Sequence, residues 1–263
     1  MSETTPLDQA HAAMEATPGD DAARLRFYER LADSELFLLL TEEPKGENLS
    51  PELFELADGA FVLAFDREAR LAEFVGRPAP YAALSGRVIA AMLATQGIGL
   101  GVNLEVAPSS ILIPAEAVAW LDATLGHGPE EVEARMEAFE PPKGLPDSLL
   151  TALDTKLATA RGLARSAYLV GVAYEGGGRG HMLGFVDALP QAQGALARAV
   201  SEALTFSGIE AGALDVGFFE AADTAAARMA QVGLRFDLPE LTEEDRGVRP
   251  APGSDPEKPP ILK

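Results

Sequence analysis

The sequence predicts an α+β protein with two compact mixed-sheet domains joined by an acidic helical linker. Three observations support this prediction. Short apolar runs typical of strands occur between longer segments whose apolar residues recur at helical spacing. An acidic stretch bounded by glycine and proline divides the chain near its middle. The chain has 263 residues, of which 47% are hydrophobic, so each half can bury a core of its own.

The predicted segments are an N-terminal domain (residues 1–128), the acidic helical linker (129–146), a C-terminal domain (147–240) and a proline-rich tail (241–263). In the linker, Pro129 suits the first position of a helix, and Val132, Met136 and Phe139 follow at helical spacing. The tail has no hydrophobic periodicity, which predicts disorder. Its residues Ile261 and Leu262 follow two prolines and are candidates for docking in a groove of this chain or of a partner.

Each predicted element of the N-terminal domain depends on a start signal, an apolar pattern or both. Thr5-Pro6 followed by Asp8 predicts a helix start, and Gly19-Asp20 predicts another. The elements, in order, are a helix with Leu7, Ala10 and Met14 on one face, a helix with Leu25, Tyr28 and Leu31, strands Glu35–Leu40 and Phe61–Asp66, a helix Tyr81–Thr95 ended by Gly97, strands Ile98–Asn103 and Ser110–Ile113, and a helix opened by Pro114.

The C-terminal domain shows the same style on a smaller scale. The run EGGGRG between two apolar segments predicts a β-hairpin. The predicted elements are a helix capped by Asp147, strands Ala167–Tyr174 and His181–Val186, a helix starting at Leu189-Pro190, a strand Ala213–Phe219, a helix Asp223–Val232 closed by Gly233, and a short edge strand Leu234–Phe236. This order of elements predicts a layered domain with a mixed sheet.

Composition excludes several classes of function. The formal net charge of −20 disfavours nucleic acid and anionic membranes as main partners, because both require basic patches. The absence of cysteine excludes thiolate nucleophiles and cysteine-ligated zinc or iron–sulfur sites.

The N-terminus lacks the basic start and apolar core of a signal peptide, and glycines interrupt the uncharged run Val88–Leu104, which is too short for a typical membrane span. We therefore expect a soluble, cytoplasmic protein.

Two glycine-rich segments contain the candidate binding residues. Gly97 and Gly99 lie in the run GIGLG, but a phosphate loop needs a strand before it and a helix after it, so a helix end followed by a closely packed strand is favoured. Asn103, at the end of that strand, could present its amide to a ligand or partner. In the predicted hairpin, Arg179, His181 and backbone N–H groups could bind an anion, although hairpin turns also require glycine.

The sequence contains no recognisable catalytic motif. The three histidines stand far apart, without the spacing of metal ligands. The serines lack the G-x-S-x-G pattern, and neighbouring acidic residues diverge on a helix or strand. We therefore predict no catalytic residue, no metal and no cofactor. A carboxylate pair assembled only by folding stays open, and the single tryptophan, Trp120, is expected to be packed or half-buried.

Two pairs of segments resemble a known family. The run FVLAFDREARL and the later run GIGLGVNLEVAPSSILIPAEAV are similar to the N-terminal domain of the SseB family, named for enhanced serine sensitivity. The segment Asp147–Phe236 and the Pro-Pro-Ile-Leu-Lys ending resemble that family's C-terminal domain. Asn103-Leu104 stands where the family pattern has Asn-Pro. The resemblance implies a soluble bacterial protein without established catalysis, linked by name to serine sensitivity and to sulfurtransferase physiology. Without cysteine, the chain itself is not a cysteine-based sulfurtransferase.

Three functions are compatible with these observations. The leading prediction is a non-catalytic binding or regulatory protein that acts through protein–protein contacts, with an acidic surface suited to a basic partner. The first alternative is a small-molecule sensor that binds an amino acid in an interdomain cleft or near Asn103, Arg179 and His181. The second alternative is an enzyme whose carboxylates come together only in the folded chain. The protein partner is not identified by the sequence.

Overall fold

The computed structural model describes residues 4–44, 49–56, 59–126, 136–175, 177–208 and 214–239. The chain separates into two units, one formed by Met1–Val132 with Ser201–Gly212 and the other by Glu133–Val200 with Ala213–Lys263. The division after Val132 falls inside the predicted linker. Residues 201–212, predicted to belong to the second domain, group with the first unit. Each unit combines helices with a mixed sheet, so the predicted α+β class is confirmed.

The helices of the first unit are α1 (Pro6–Ala16), α2 (Asp21–Asp33), α3 (Glu68–Val75), α4 (Gly86–Ala94) and α5 (Ala115–Gly126). Its strands are β1 (Glu35–Leu39), β2 (Leu53–Leu56), β3 (Gly59–Phe65), β4 (Tyr81–Ser85), β5 (Gly99–Val102) and β6 (Ile111–Ile113). The later elements are β7 (Met136–Glu140), α6 (Asp147–Leu157), β8 (Ser166–Tyr174), β9 (Arg179–Val186), α7 (Gln193–Phe206), β10 (Leu214–Phe219), α8 (Thr224–Val232) and β11 (Leu234–Asp237). These later elements form the second unit, except that the end of α7 groups with the first unit.

The sheet of the first unit has the strand order β4-β1-β3-β5-β6, and β2 also pairs with β3. Strands β3 and β5 run parallel, and the other pairs are antiparallel. Both faces are covered, because Leu36 and Leu38 of β1 enter a large cluster with the helices α1, α2, α4 and α5, whereas Leu39 enters a smaller cluster with Leu71 of α3. This two-sided burial explains the continuous apolar run of β1.

The sheet of the second unit has the order β10-β9-β8-β11, and β7 also pairs with β8. The predicted hairpin is present as antiparallel β8 and β9, and β10 runs parallel to β9. One face of this sheet packs on α8, where Met229 contacts a cluster that includes Val170, Val172 and Met182. The predicted short strand at Leu234 is β11, which pairs with the first half of β8.

Two glycines of the first unit have clear geometric roles. Gly97 adopts φ +65°, the left-handed conformation that ends the α4 segment as predicted. A Cβ atom at Gly86 would lie 2.0 Å from the carbonyl oxygen of Leu31, so only glycine allows α4 to pass this close to α2.

Two predictions of local structure are wrong, and one core face was incomplete. Residues 81–85 form the strand β4 rather than the start of a helix, because they pair antiparallel with β1. Met136 and Phe139 lie in the strand β7, which pairs with β8, rather than on a linker helix. In α2 the predicted residue Leu31 is buried in the core cluster and Leu25 and Tyr28 pack against it, while Phe27, which was not predicted, is fully buried as well. The rest of the predicted linker helix, residues 129–135, and the tail with Ile261 and Leu262 lie outside the described residues.

Membrane insertion through a helix has no support in the described ranges. None of the helices there combines the length and the apolar character needed to cross a bilayer.

Candidate functional site

The polar centre of the first unit is a buried cluster around the guanidinium group of Arg70. The side chains of Arg70 and Asp8 are each 2% exposed. Arg70 Nη1 and Nη2 donate to Asp8 Oδ1 and Oδ2 at 3.0 and 2.6 Å, and Nη1 also donates to Asp66 Oδ1 at 2.8 Å. This bidentate pair ties α1 to the start of α3. The Nε atom of Arg70 has no hydrogen-bond partner among the described residues.

Three uncharged side chains close the cluster into a ring. The hydroxyl of Thr5 donates to Asp66 Oδ2 at 2.6 Å, and the hydroxyl of Ser109 donates to Asp8 Oδ1 at 2.5 Å. Asn103 Nδ2 donates to Ser109 Oγ at 2.8 Å, and Asn103 Oδ1 accepts from the backbone N–H of Asp66 at 3.0 Å. The N-terminal helix, the end of β3 and the loop after β5 are therefore held by one continuous network.

Local sequence places each member of this cluster. Thr5 and Asp8 form a capping box at the start of α1, in which each side chain accepts from the other residue's backbone N–H. Asp66 and Arg70 are four residues apart at the start of α3, so their side chains meet. Asn103 adopts φ +50°, and its turn directs the side chain into the cluster. Asparagine tolerates this left-handed conformation better than most residues.

The electrostatics of the cluster favour a structural role over acid–base chemistry. Burial alone raises the pKa of Asp8, but hydrogen bonds from Arg70, Ser109 and Thr5 outweigh it and hold that pKa well below its usual range. Asp8 therefore stays ionised and has no proton to transfer near neutral pH. Ser109 is fully buried and lies against a carboxylate rather than a histidine, so its hydroxyl has no access to a substrate.

The structure gives three of the predicted binding residues internal contacts. The amide of Asn103 is fully buried and bonded at both ends within the first unit. A Cβ atom at Gly99 would lie 2.4 Å from the ring of Phe61, so neighbouring side chains fill the space beside that glycine. Gly97 terminates the α4 segment. Ligand binding by Gly97, Gly99 and Asn103 stays a prediction, and their observed contacts are structural.

The predicted anion site in the hairpin is only loosely assembled. Arg179 is 75% exposed and its Nη1 lies 3.6 Å from Glu140 Oε2. His181 Nε2 lies 3.0 Å from the carbonyl oxygen of Lys143. Arg179 faces the last residue of β7 and His181 faces the segment that follows β7, so the two side chains contact different partners. The proposed roles of Arg179 and His181 stay predictions, as do those of Ile261 and Leu262 in the tail.

The strand β2 exposes two large apolar side chains on the surface of the first unit. Leu53 and Leu56 of β2 are 52% and 46% exposed, although Phe54 between them packs into the core beside Leu39. Among the described residues the strand β2 itself pairs with β3, while Pro51 and Glu52 just before it contact Leu40 and Leu39 at the end of β1. We call the unpaired side of β2, with Leu53, Glu55 and Leu56, the β2 edge.

Each unit also contains a cavity. In the first unit a space of about 270 Å³ is lined by Thr5, Ser34, Glu35, Asp66 and Arg67, together with apolar residues of α1. In the second unit a space of about 230 Å³ lies between the sheet and α8. Within the described ranges no group of three or more acidic or histidine side chains is arranged to hold a metal ion.

The sequence analysis did not predict the buried cluster, although two of its local patterns are visible in the sequence. The capping box at Thr5 and Asp8 and the four-residue spacing of Asp66 and Arg70 are both readable locally. The contact between Asp8 and Arg70 joins residues 62 positions apart, and no local pattern indicates it. Only the tertiary structure shows that two ordinary surface motifs meet in the core.

Taken together, the fold and this cluster define an α+β protein whose first unit is organised around a buried ion-pair network. Residues 7–120 of the chain match the family model described as the SseB protein N-terminal domain. The chain therefore carries the N-terminal domain of the SseB family, as the resemblance predicted. No curated protein and no solved structure matches the chain. The resemblance of the second unit to the family's C-terminal domain stays a prediction.

Proposed function

We propose that this SseB-family protein is a non-catalytic binding protein that contacts a protein partner at the β2 edge. The observation that carries the proposal is the strand β2, which exposes two leucines and a glutamate and pairs with β3 on one side. On its other side, no strand among the described residues pairs with residues 53–56. The buried cluster supports the non-catalytic part, because its carboxylates and its serine are bonded to one another and shielded from substrate. Regulation of serine sensitivity, which the family name implies, is the physiological setting that we propose for this contact.

The geometry of β2 suits the addition of a partner strand. A strand paired on one side presents backbone N–H and C=O groups on the other, and an extended peptide can pair with them. The exposed side chains of Leu53 and Leu56 offer apolar area that such a peptide would cover. Backbone pairing would supply affinity, and contacts with these leucines would supply specificity.

Charge defines the chemistry of the partner segment. Residues 35–65, which span β1 to β3, contain seven acidic residues and one lysine. The opposite edge of the same sheet is β6, and residues 99–113 around it contain Glu105 as their single charged residue. A segment that alternates apolar and basic residues is therefore favoured at β2 over β6, because attraction to the acidic strand adds to strand pairing.

A defined peptide tests the proposal on the full chain. The probe is a fluorescent, end-blocked peptide with three Lys-Val repeats, and binding is measured by anisotropy at low and at physiological salt. We expect saturable binding that weakens as salt rises, and no binding of the matching Glu-Val peptide. A Lys-Val peptide methylated on every backbone nitrogen is also expected not to bind, because neither of its edges then has the N–H donors that strand pairing requires.

Two leucine variants locate the contact. Leu53→Lys adds a positive charge and removes apolar area at the β2 edge, so it is expected to weaken Lys-Val binding at least tenfold. Leu112→Lys is the matched control, because Leu112 is 43% exposed on β6 at the other edge of the sheet. Equal loss in the two variants, or equal binding of the Glu-Val peptide, would contradict the proposal.

A further inference from the structure

The cavity of the second unit is built from polar groups on one side and alanines on the other. Ser166 and Tyr168 of β8 contribute to its floor, and Ala226 and Ala230 of α8 contribute to its wall. Arg235 also lines the cavity, and it is paired in register with Tyr168 across β8 and β11. Cross-strand partners lie on the same face of a sheet, so Arg235 and Tyr168 both face α8.

A second arginine lines the same cavity. Arg165 precedes β8, and its Nη1 lies 3.6 Å from Asp187 Oδ2, too far for a hydrogen bond. The guanidinium group of Arg165 makes no hydrogen bond with any described residue, so its five N–H donors are available. Arg235 Nη2 lies 2.5 Å from Asp237 Oδ1. The other N–H groups of the Arg235 guanidinium can therefore donate to a ligand.

Ser166 adds a hydroxyl group to the lining. The residue as a whole is 5% exposed, and its hydroxyl is not among the buried side-chain atoms that lack a hydrogen-bond partner. The hydroxyl can act as a donor or as an acceptor. Here the hydroxyl borders a cavity that also has two guanidinium groups on its lining.

We propose that this cavity binds the carboxylate of a small monoanionic ligand with a short apolar part. The arginines provide donors for the carboxylate, Ser166 provides a further hydroxyl donor, and the alanines of α8 contact the apolar part. The acidic partners Asp187 and Asp237 oppose a second negative charge, which disfavours phosphate and dicarboxylates.

The cavity volume limits the size of the ligand. The volume is about 230 Å³, which holds several water molecules or a chain of a few carbon atoms. A free short-chain acid fits this space, and so does the terminal residue of a peptide with a free carboxyl group. Both sources share the same chemistry, and the experiment separates them.

Binding is measured by NMR titration of the full chain with pentanoate, pentanamide, and N-acetylated Ala-Ala-Val as the free acid. We expect saturable shifts for at least one acid, confined to the backbone amides of β8, β11 and α8 that line the cavity. The amide has the same shape without the charge and is expected to cause no saturable shift. Tighter binding of pentanoate identifies a free acid as the source, and tighter binding of the peptide identifies a chain terminus.

Arginine variants test the assignment with a close control. Arg165→Gln and Arg235→Gln are each expected to weaken acid binding about tenfold. Arg179→Gln should leave it unchanged, because Arg179 is equally exposed in the same unit and has a similar 3.6 Å ion pair, with Glu140. Ala230→Leu fills the cavity while keeping both arginines and is expected to abolish binding.

The proposal fails under any of three results. The first is that neither acid gives saturable shifts with the intact protein. The second is that pentanamide shifts the same amides as pentanoate. The third is that Arg179→Gln weakens binding as much as Arg235→Gln. Unchanged circular dichroism of each variant separates loss of binding from loss of structure.

Discussion

Replacing Arg70 by methionine tests whether the buried cluster holds the first unit together. Methionine keeps much of the side-chain volume and a high helix propensity, but it removes the charge and every hydrogen bond of the guanidinium group. Asp8 would then remain 2% exposed, with only the bonds from Ser109 and the Thr5 backbone to compensate its charge.

The expected loss of stability follows from the geometry. Arg70 makes three hydrogen bonds of 2.6–3.0 Å to two carboxylates, all in a buried setting. Removing one partner of a buried ion pair costs about 3–5 kcal/mol, because the remaining charge stays desolvated. With a urea dependence of about 2 kcal/mol per molar, the unfolding midpoint of the first unit should fall by about 2 M.

Urea unfolding followed by tryptophan emission measures this loss. The single tryptophan, Trp120, lies on α5 in the first unit, where its ring contacts Tyr28 and Phe206 at centroid distances of 5.3 and 6.4 Å. Its emission therefore reports on that unit.

Arg24→Met is the matched control. Arg24 pairs with Asp21 at 2.8 Å on the surface of α2, and such exposed pairs contribute less than about 1 kcal/mol. The double variant Asp8→Leu with Arg70→Met should be more stable than Arg70→Met alone, because the buried carboxylate of Asp8 is removed together with its partner. Equal destabilisation by Arg70→Met and Arg24→Met would refute the stabilising role of the buried cluster.

Three further outcomes follow from the same contacts. Because the pKa of Asp8 is held below its usual range in the folded state, the first unit should lose stability as the pH falls below about 4. Asp8→Asn should flatten this part of the curve of unfolding free energy against pH. A curve that Asp8→Asn leaves unchanged argues against the pairing of Asp8 with Arg70. Gly86→Ala should destabilise the first unit by about 2–3 kcal/mol in thermal unfolding, because the new Cβ atom clashes with the α2 backbone. Gly194→Ala is the control: Gly194 lies on α7 with open space around it, so this change should be neutral or stabilising. Burial and the hydrogen bond to Asp215 raise the pKa of Tyr174, so Asp215→Asn should make one phenol ionise at lower pH in an ultraviolet titration; identical curves would contradict this cause.

Much of the fold was readable from the chain because its signals are local. The apolar run of β1, the glycine-rich turn between β8 and β9, and the capping box of α1 each depend on residues close together in sequence. Strand β4 shows where local signals are weak. Ser85-Gly86 is the one local mark between Tyr81–Ser85 and the helix α4, and the extended form of the segment depends on pairing with β1. The same reason applies to β7, whose conformation is set by β8.

The candidate sites divide in the same way. Glycines predicted to shape a loop or strand do so, because the backbone conformation of a glycine is a local property. The ring of Asp8, Arg70, Asn103 and Ser109 is not local, since it joins α1, α3 and the loop after β5. Asn103 was singled out as a possible ligand-binding amide, and in the folded chain this amide belongs to the ring.

From the sequence alone, this protein is determined to be acidic, free of cysteine, α+β in class and SseB-like in its N-terminal half, because composition and short-range patterns depend only on neighbouring residues. The tertiary structure alone decided which charges are buried, which strand edge is exposed and where two arginines line one cavity. Those properties arise from contacts between distant residues, and burial converts an ordinary surface pair such as Asp66 and Arg70 into part of a core.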